Sequence, residues 1–105
     1  MPPIQADKIY TTVIVTFPLA EGTSMEDAKA LFEASAPTYE NIPGLIRKYY
    51  LYSEEPLGGG VYLWKSREAA EKLYTQAWCD GLAERLGAQP KIEYFYSPVL
   101  IDNNH

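Results

Sequence analysis

The chain has 105 residues, 14 acidic against nine basic side chains, and one cysteine. That length sets a single domain, residues 1–105, able to bury a small core. The basic residues are scattered, with Arg47-Lys48 the only adjacent pair, so no cationic stripe exists to neutralise a phosphate backbone.

No stretch is long enough for a membrane-spanning helix, and the N-terminal MPPIQADK lacks the basic-then-apolar pattern of a signal peptide. A lone Cys79 allows no internal disulfide. It reads as a small packed residue in a cytoplasmic protein rather than as a nucleophile. The other compositional signal is nine tyrosines and two tryptophans. So many aromatics fill a core, or they line a pocket or an interface.

In chain order, Ile9–Phe17 is β-branched and aromatic and reads as a central strand ended by Pro18. Thr23 with Glu26, or Ser24 with Asp27, offers a capping box for a first helix. Ala28, Leu31, Phe32, Ser35 and Tyr39 share one face of that helix, and Pro37 is expected to kink or end it. Ile42-Pro43-Gly44 turns the chain into a second strand, Leu45–Tyr52. In it Leu45, Tyr49 and Leu51 lie on one side, and Ile46, Tyr50 and Tyr52 on the other.

Ser53–Gly60 reads as a loop and Val61–Lys65 as a third strand. Ser66 starts a second helix with Ala69, Ala70, Leu73, Tyr74, Ala77 and Trp78 on one broad face. Gly81 is expected to interrupt it, leaving Leu82–Leu86 as a separate turn stopped by Gly87. Lys91–Tyr96 is a fourth strand, and Pro98 opens an apolar tail.

The order β-α-β-β-α-β is the α+β, ferredoxin-like plan: a four-stranded antiparallel sheet with both helices on one face. The strands are apolar on both alternations, so the uncovered face needs a partner. Sheet-to-sheet homodimerisation supplies one.

Gly58-Gly59-Gly60 invites a phosphate-loop reading. Such a loop follows a strand and opens a helix, whereas these glycines precede a strand and follow Glu54 and Glu55. A flexible hairpin connection, able to border a pocket mouth, is the expectation.

Ile42-Pro43-Gly44-Leu45 before the second strand, and Gly59-Gly60-Val61-Tyr62-Leu63-Trp64 running into a Ser66-to-Ala70 helix start, resemble the dimeric α+β barrel superfamily. Within it the chain is most similar to the YdhR-type monooxygenases, over most of its length. The resemblance implies a homodimer and a cofactor-independent monooxygenase acting on an aromatic or polycyclic small molecule. Trp64 matches a tryptophan that many oxygenase members carry at the end of the third strand. The histidine that often follows in the next helix is replaced here by Leu73-Tyr74. That departure removes an axial haem ligand and a histidine base, the only histidine being the terminal His105.

Cofactor-free oxygenation needs a dry aromatic pocket and one group that favours the substrate's anion. The candidate substrate-binding residues are Trp64 and Tyr62 on one strand face, Tyr74 and Trp78 four apart on the second helix, and Tyr50 with Lys48 on one face of the second strand. Lys48 could stabilise a phenolate. Each has a plainer role: Trp64, Tyr62, Tyr74 and Trp78 as core, Lys48 and Arg47 in solvent or at an interface. Tyr94 and Tyr96 serve the sheet or the dimer contact, and Glu54 and Glu55 stand in solvent.

No catalytic residue is assigned. No haem, flavin or metal is expected: neither a Cys-x-x-Cys nor a histidine pair is present, and no hydrolase motif appears. Two other functions stay open, a non-catalytic binder of a small apolar ligand and an isomerase or cyclase of aromatic intermediates. Trp64 is expected to border a cavity between the sheet and the second helix, near Tyr62 and Tyr74.

Overall fold

A computed structural model describes residues 9–103; the N-terminal MPPIQADK and His105 lie outside the described residues. The elements are β1 (Tyr10–Pro18), α1 (Met25–Tyr39), β2 (Leu45–Ser53), β3 (Leu57–Trp64), α2 (Arg67–Leu73), α3 (Gln76–Leu86) and β4 (Lys91–Ser97). All neighbouring strands are antiparallel, in the order β2-β3-β1-β4. This is the expected ferredoxin-like sheet.

Local chemistry explains the helix limits. Ser24 caps α1: its Oγ accepts from the Asp27 N–H at 3.1 Å, and Asp27 accepts from the Ser24 N–H in return. Of the two capping boxes the sequence offers, this one forms. Pro37 does not kink α1 out of register. The helix simply stops two residues later, where Glu40 turns extended and donates its N–H to the Pro37 carbonyl.

The expected single second helix is two. The break falls at Tyr74-Thr75, not at Gly81, because Thr75 turns extended and its hydroxyl accepts from the Trp78 N–H at 3.2 Å. A helix start is thus built in mid-stretch, and Gly81 lies inside α3.

Two further expectations are corrected. Gly58-Gly59-Gly60 are not loop: they form the buried start of β3, paired with β1 and β2 at once. A β-carbon on Gly59 would overlap the Val15 carbonyl oxygen, so β1 approaches closer there than a side chain allows. In β2, a bulge between Leu45 and Arg47 switches the alternation. Leu45 therefore sits opposite Trp64 and packs on the core, apart from Tyr49.

Register divides the sheet into two faces, because directly opposed residues point the same way. Val13, Tyr62 and Lys48 stand in one row, Val15, Gly60 and Tyr50 in the next, all on the helix side. The buried cluster Val13, Val15, Tyr62, Trp64 and Ala70 occupies this face.

Ile14, Val61 and Tyr49 form a row on the opposite face. The segment after β4 crosses that face from one sheet edge to the other, since Asp102 meets Arg47 of β2 at 3.4 Å. Tyr49, Phe95, Val99 and Ile101 remain exposed.

Candidate functional site

The helix-side layer holds a cavity of about 250 Å³ between β2, β3, α1 and α3. Phe17 and Leu19 reach it from the end of β1, Phe32, Ser35 and Tyr39 from α1, and Trp78 and Leu82 from α3. Lys48, Tyr50 and Tyr62 form its floor. Leu31 and Arg85, both exposed, stand at its outer side.

On this face β3 supplies glycine at its buried end. At Gly60 a β-carbon would come within 3.2 Å of Lys48 Cε and 3.3 Å of the Tyr62 ring. The volume a side chain would take is left to the lysine and the void.

Lys48 is the distinctive group. Its Nζ lies 3.2 Å from the ring centroid of Tyr39, 4.0 Å from that of Tyr50 and 4.5 Å from that of Tyr62. Burial pushes the ammonium down to about 7. The three ring faces attract a cation and work against that shift. Among the described residues, none of the side chains lining the cavity is Asp or Glu.

Beside it, the Tyr50 and Ser35 hydroxyls are 2.8 Å apart, and the Phe32 and Tyr50 rings stack with centroids 4.7 Å apart. Burial raises the Tyr50 phenol, while the Ser35 bond acts in the opposite direction.

The other aromatic residues form a connected set at the far end of the same layer. Trp64 is fully buried, stacks at 6.4 Å on Tyr62, and donates its Nε1–H to the Tyr74 hydroxyl at 3.0 Å. Tyr74 meets Tyr62, Trp64, Trp78 and Tyr94 edge-on. Burial pushes the phenols of Tyr62 and Tyr74 far above their ordinary value.

Of the six candidate residues, Lys48, Tyr50, Tyr62 and Trp78 line the cavity. Trp64 and Tyr74 do not, and the expectation that Trp64 borders it is corrected. The Tyr62 ring stands beside it and the Tyr74 hydroxyl takes up its N–H, so the indole is core.

Sequence reading missed Tyr39 and Ser35 as cavity residues. The available signal was Ser35 itself, a polar residue in an otherwise apolar stripe, whose hydroxyl finds that of Tyr50 across the helix–sheet contact. Among the described residues no cluster of three or more His, Cys, Asp or Glu side chains could hold a metal, and no helix is long and apolar enough to cross a membrane.

Neither a family model nor a curated protein matches the sequence. Solved structures do match. A protein of unknown function from Nitrosomonas europaea, NE2512, superposes with a TM-score of 0.70 at 14% identity, over 94% of this chain and 99% of its own. The ActVA-Orf6 monooxygenase of Streptomyces coelicolor, solved with the ligand nanaomycin D, gives 0.65 at 16% identity, over 96% and 100%. SnoaB, a cofactor-independent oxygenase from Streptomyces nogalater, gives 0.55 at 15% identity, over 93% and 99%. At these identities the likeness concerns fold: the chain has the α+β, ferredoxin-like fold of the ActVA-Orf6 and SnoaB oxygenases.

Proposed function

We propose that the protein is a cofactor-independent monooxygenase for an aromatic or polycyclic small molecule, akin to the YdhR-type monooxygenases. One observation carries this: a cavity walled by Phe17, Phe32, Tyr50, Tyr62 and Trp78, with the half-buried amine of Lys48 in its floor. A flat ring fits between such walls, and a charge beside it acts through a low-dielectric medium. The fold shared with two oxygenases supports the same reading.

In the proposed reaction the substrate is a phenol, hydroquinone or anthrone. Its proton leaves, and Lys48 as ammonium holds the resulting anion. The electron-rich anion then reduces dioxygen. One oxygen atom bonds to the substrate carbon and the other leaves as water, so the substrate supplies all the electrons. The walls exclude solvent from the anion, and no bound cofactor is required.

The working unit in this reading is a cytoplasmic homodimer. The exposed Tyr49, Phe95, Val99 and Ile101 on the face away from the helices support it, because apolar surface of this kind is stabilised by a second copy.

Oxygen consumption by the purified protein with a panel of hydroquinones and anthrones tests the activity. Uptake that tracks protein concentration and is lost in Lys48→Met is expected. Binding without turnover would make the protein a ligand carrier, and anaerobic turnover an isomerase or cyclase.

A further inference from the structure

We propose that Lys48 is also a reactive amine, one that forms an imine with flat aromatic aldehydes or ketones that enter the cavity. The inference rests on the cavity being a ligand site, as in the oxygenase reading. It adds a covalent activity and a second ligand class, the aryl carbonyl compounds.

Three features carry it. First, Lys48 lines the cavity, and Gly60 leaves room around its Cε, where a β-carbon would come within 3.2 Å. The amine can therefore swing towards a bound carbonyl. Second, none of the described residues lining the cavity is Asp or Glu, and Lys48 makes neither of the two ion pairs found among the described residues. A carboxylate would hold the amine protonated, and a protonated amine has no lone pair to attack with. Third, Ser35 and Tyr50, whose hydroxyls are 2.8 Å apart, also line the cavity, and the Tyr50 ring centroid lies 4.0 Å from Nζ. They can pass the protons that imine formation requires.

Burial brings Lys48 down to about 7, so the free amine is well populated at neutral pH. The groups facing it are the phenols of Tyr39, Tyr50 and Tyr62. Those of Tyr50 and Tyr62 are raised by burial, which keeps them neutral there.

The step is redox-neutral. The Lys48 Nζ lone pair bonds to the carbonyl carbon, the carbonyl oxygen takes a proton, and the resulting hydroxyl leaves as water while the C=N bond forms. The aromatic walls hold the ring flat, and a bound ring displaces water from the cavity, which favours loss of water over its return.

The test incubates the full chain with 1-naphthaldehyde and sodium cyanoborohydride at pH 7, followed by peptide mapping. The hydride reduces the C=N bond to a stable secondary amine. Lys48 is expected to be labelled faster than every other lysine of the chain by roughly tenfold or more, the direction set by its larger free-amine fraction. An excess of 1-methylnaphthalene, which fills the cavity but has no carbonyl, should suppress labelling at Lys48 alone. Lys48→Arg should lose the adduct; should that variant not fold, the mapping and competition on the native chain decide alone.

Labelling spread evenly over the lysines, or labelling of Lys48 indifferent to the hydrocarbon, overturns the inference. Hydrocarbon or phenol binding without Lys48 labelling sinks the imine and leaves the oxygenase reading standing. Lys48 labelling without oxygen uptake does the reverse.

Discussion

The two ends of the helix-side layer are made of the same residue types and do opposite things. At one end Trp64, Tyr74 and Ala70 fill the space between the sheet and α2. At the other, Gly58 and Gly60 take helix-side positions where β3 would otherwise present bulk, and a cavity opens under α1 and α3. Tyr62 stands at the boundary, stacked on Trp64 and lining the void with its other side. Aromatic content alone therefore does not mark a ligand site. What separates pocket from core is the absence of side chains next to the aromatics.

The largest expected effect breaks the filled end. Trp64→Ala removes a fully buried ring and leaves the Tyr74 hydroxyl without its donor. A loss of about 3–5 kcal/mol is expected, the scale of buried large-to-small changes. Urea unfolding measures it. Trp64→Phe should cost far less and leave aromatic-ligand affinity unchanged, because Trp64 does not line the cavity. A Trp64→Phe variant of native stability that binds a naphthalene probe tenfold more weakly would show that the two ends are one site.

The next effect belongs to the cavity end and is a dependence on pH. Burial lowers the folded-state value of Lys48 to about 7 from 10.5. Between those values the unfolded chain binds more protons than the folded one, so stability from this group rises with pH across the window. It is lowest below pH 7, where the buried amine must be charged. Tyr62 and Tyr74 act in the opposite sense above their ordinary 10.0, because the unfolded phenols ionise while the buried ones resist. The urea midpoint should therefore climb from pH 7 and turn down beyond pH 10. In Lys48→Met the climb should flatten while the downturn remains. A wild-type midpoint flat across pH 7–10 would show that the three rings offset the burial of the amine.

The sequence made the fold legible, and the filled end in part. Alternation in Ile9–Phe17, the Ser24 and Ser66 caps and the turn at Gly44 follow from local chemistry. Gly44 shows how local: its φ is +86°, the left-handed region that glycine enters without strain. Pairing of Tyr62 with Trp64, and of Lys48 with Tyr50, followed from alternation.

The cavity was less legible. Glycine in a run reads as loop, because what keeps Gly59 in a strand is the approach of Val15, 44 positions away in sequence. The bulge at Leu45–Arg47 reversed one face assignment for the same reason: pairing with β3, not β2's own sequence, sets it. Thr75 was a cap signal hidden inside an apolar periodicity, and that periodicity placed Tyr74 and Trp78 on one helix. They meet, with centroids 5.2 Å apart, across a break between two helices.

Replacing that cap gives a moderate effect on the boundary between the two ends. Thr75→Ala loses the bond to the Trp78 N–H, and about 1 kcal/mol is expected. The start of α3 carries Trp78, a cavity wall, so ligand affinity should weaken with stability. Thr75→Ser, which keeps the hydroxyl, should restore both. A Thr75→Ala variant that loses stability with affinity intact would separate Trp78 from the site.

The smallest effect compares a hydroxyl pair at the open end with the indole–phenol bond at the filled one. Ser35→Ala removes the partner of the Tyr50 hydroxyl. Both residues are only half-buried and the cavity beside them is reached from solvent, so water can replace the lost partner. A cost of about 0.5–1 kcal/mol is expected, well below that of Trp64→Ala. The direction of the Tyr50 titration is the sharper readout. The Ser35 bond holds the phenol down against burial, so Ser35→Ala should move it further up, seen as a later phase in the ultraviolet titration of the tyrosines. If the variant instead costs as much as Trp64→Ala, the Ser35–Tyr50 pair is closed off from water. The open end is then as tightly built as the filled one.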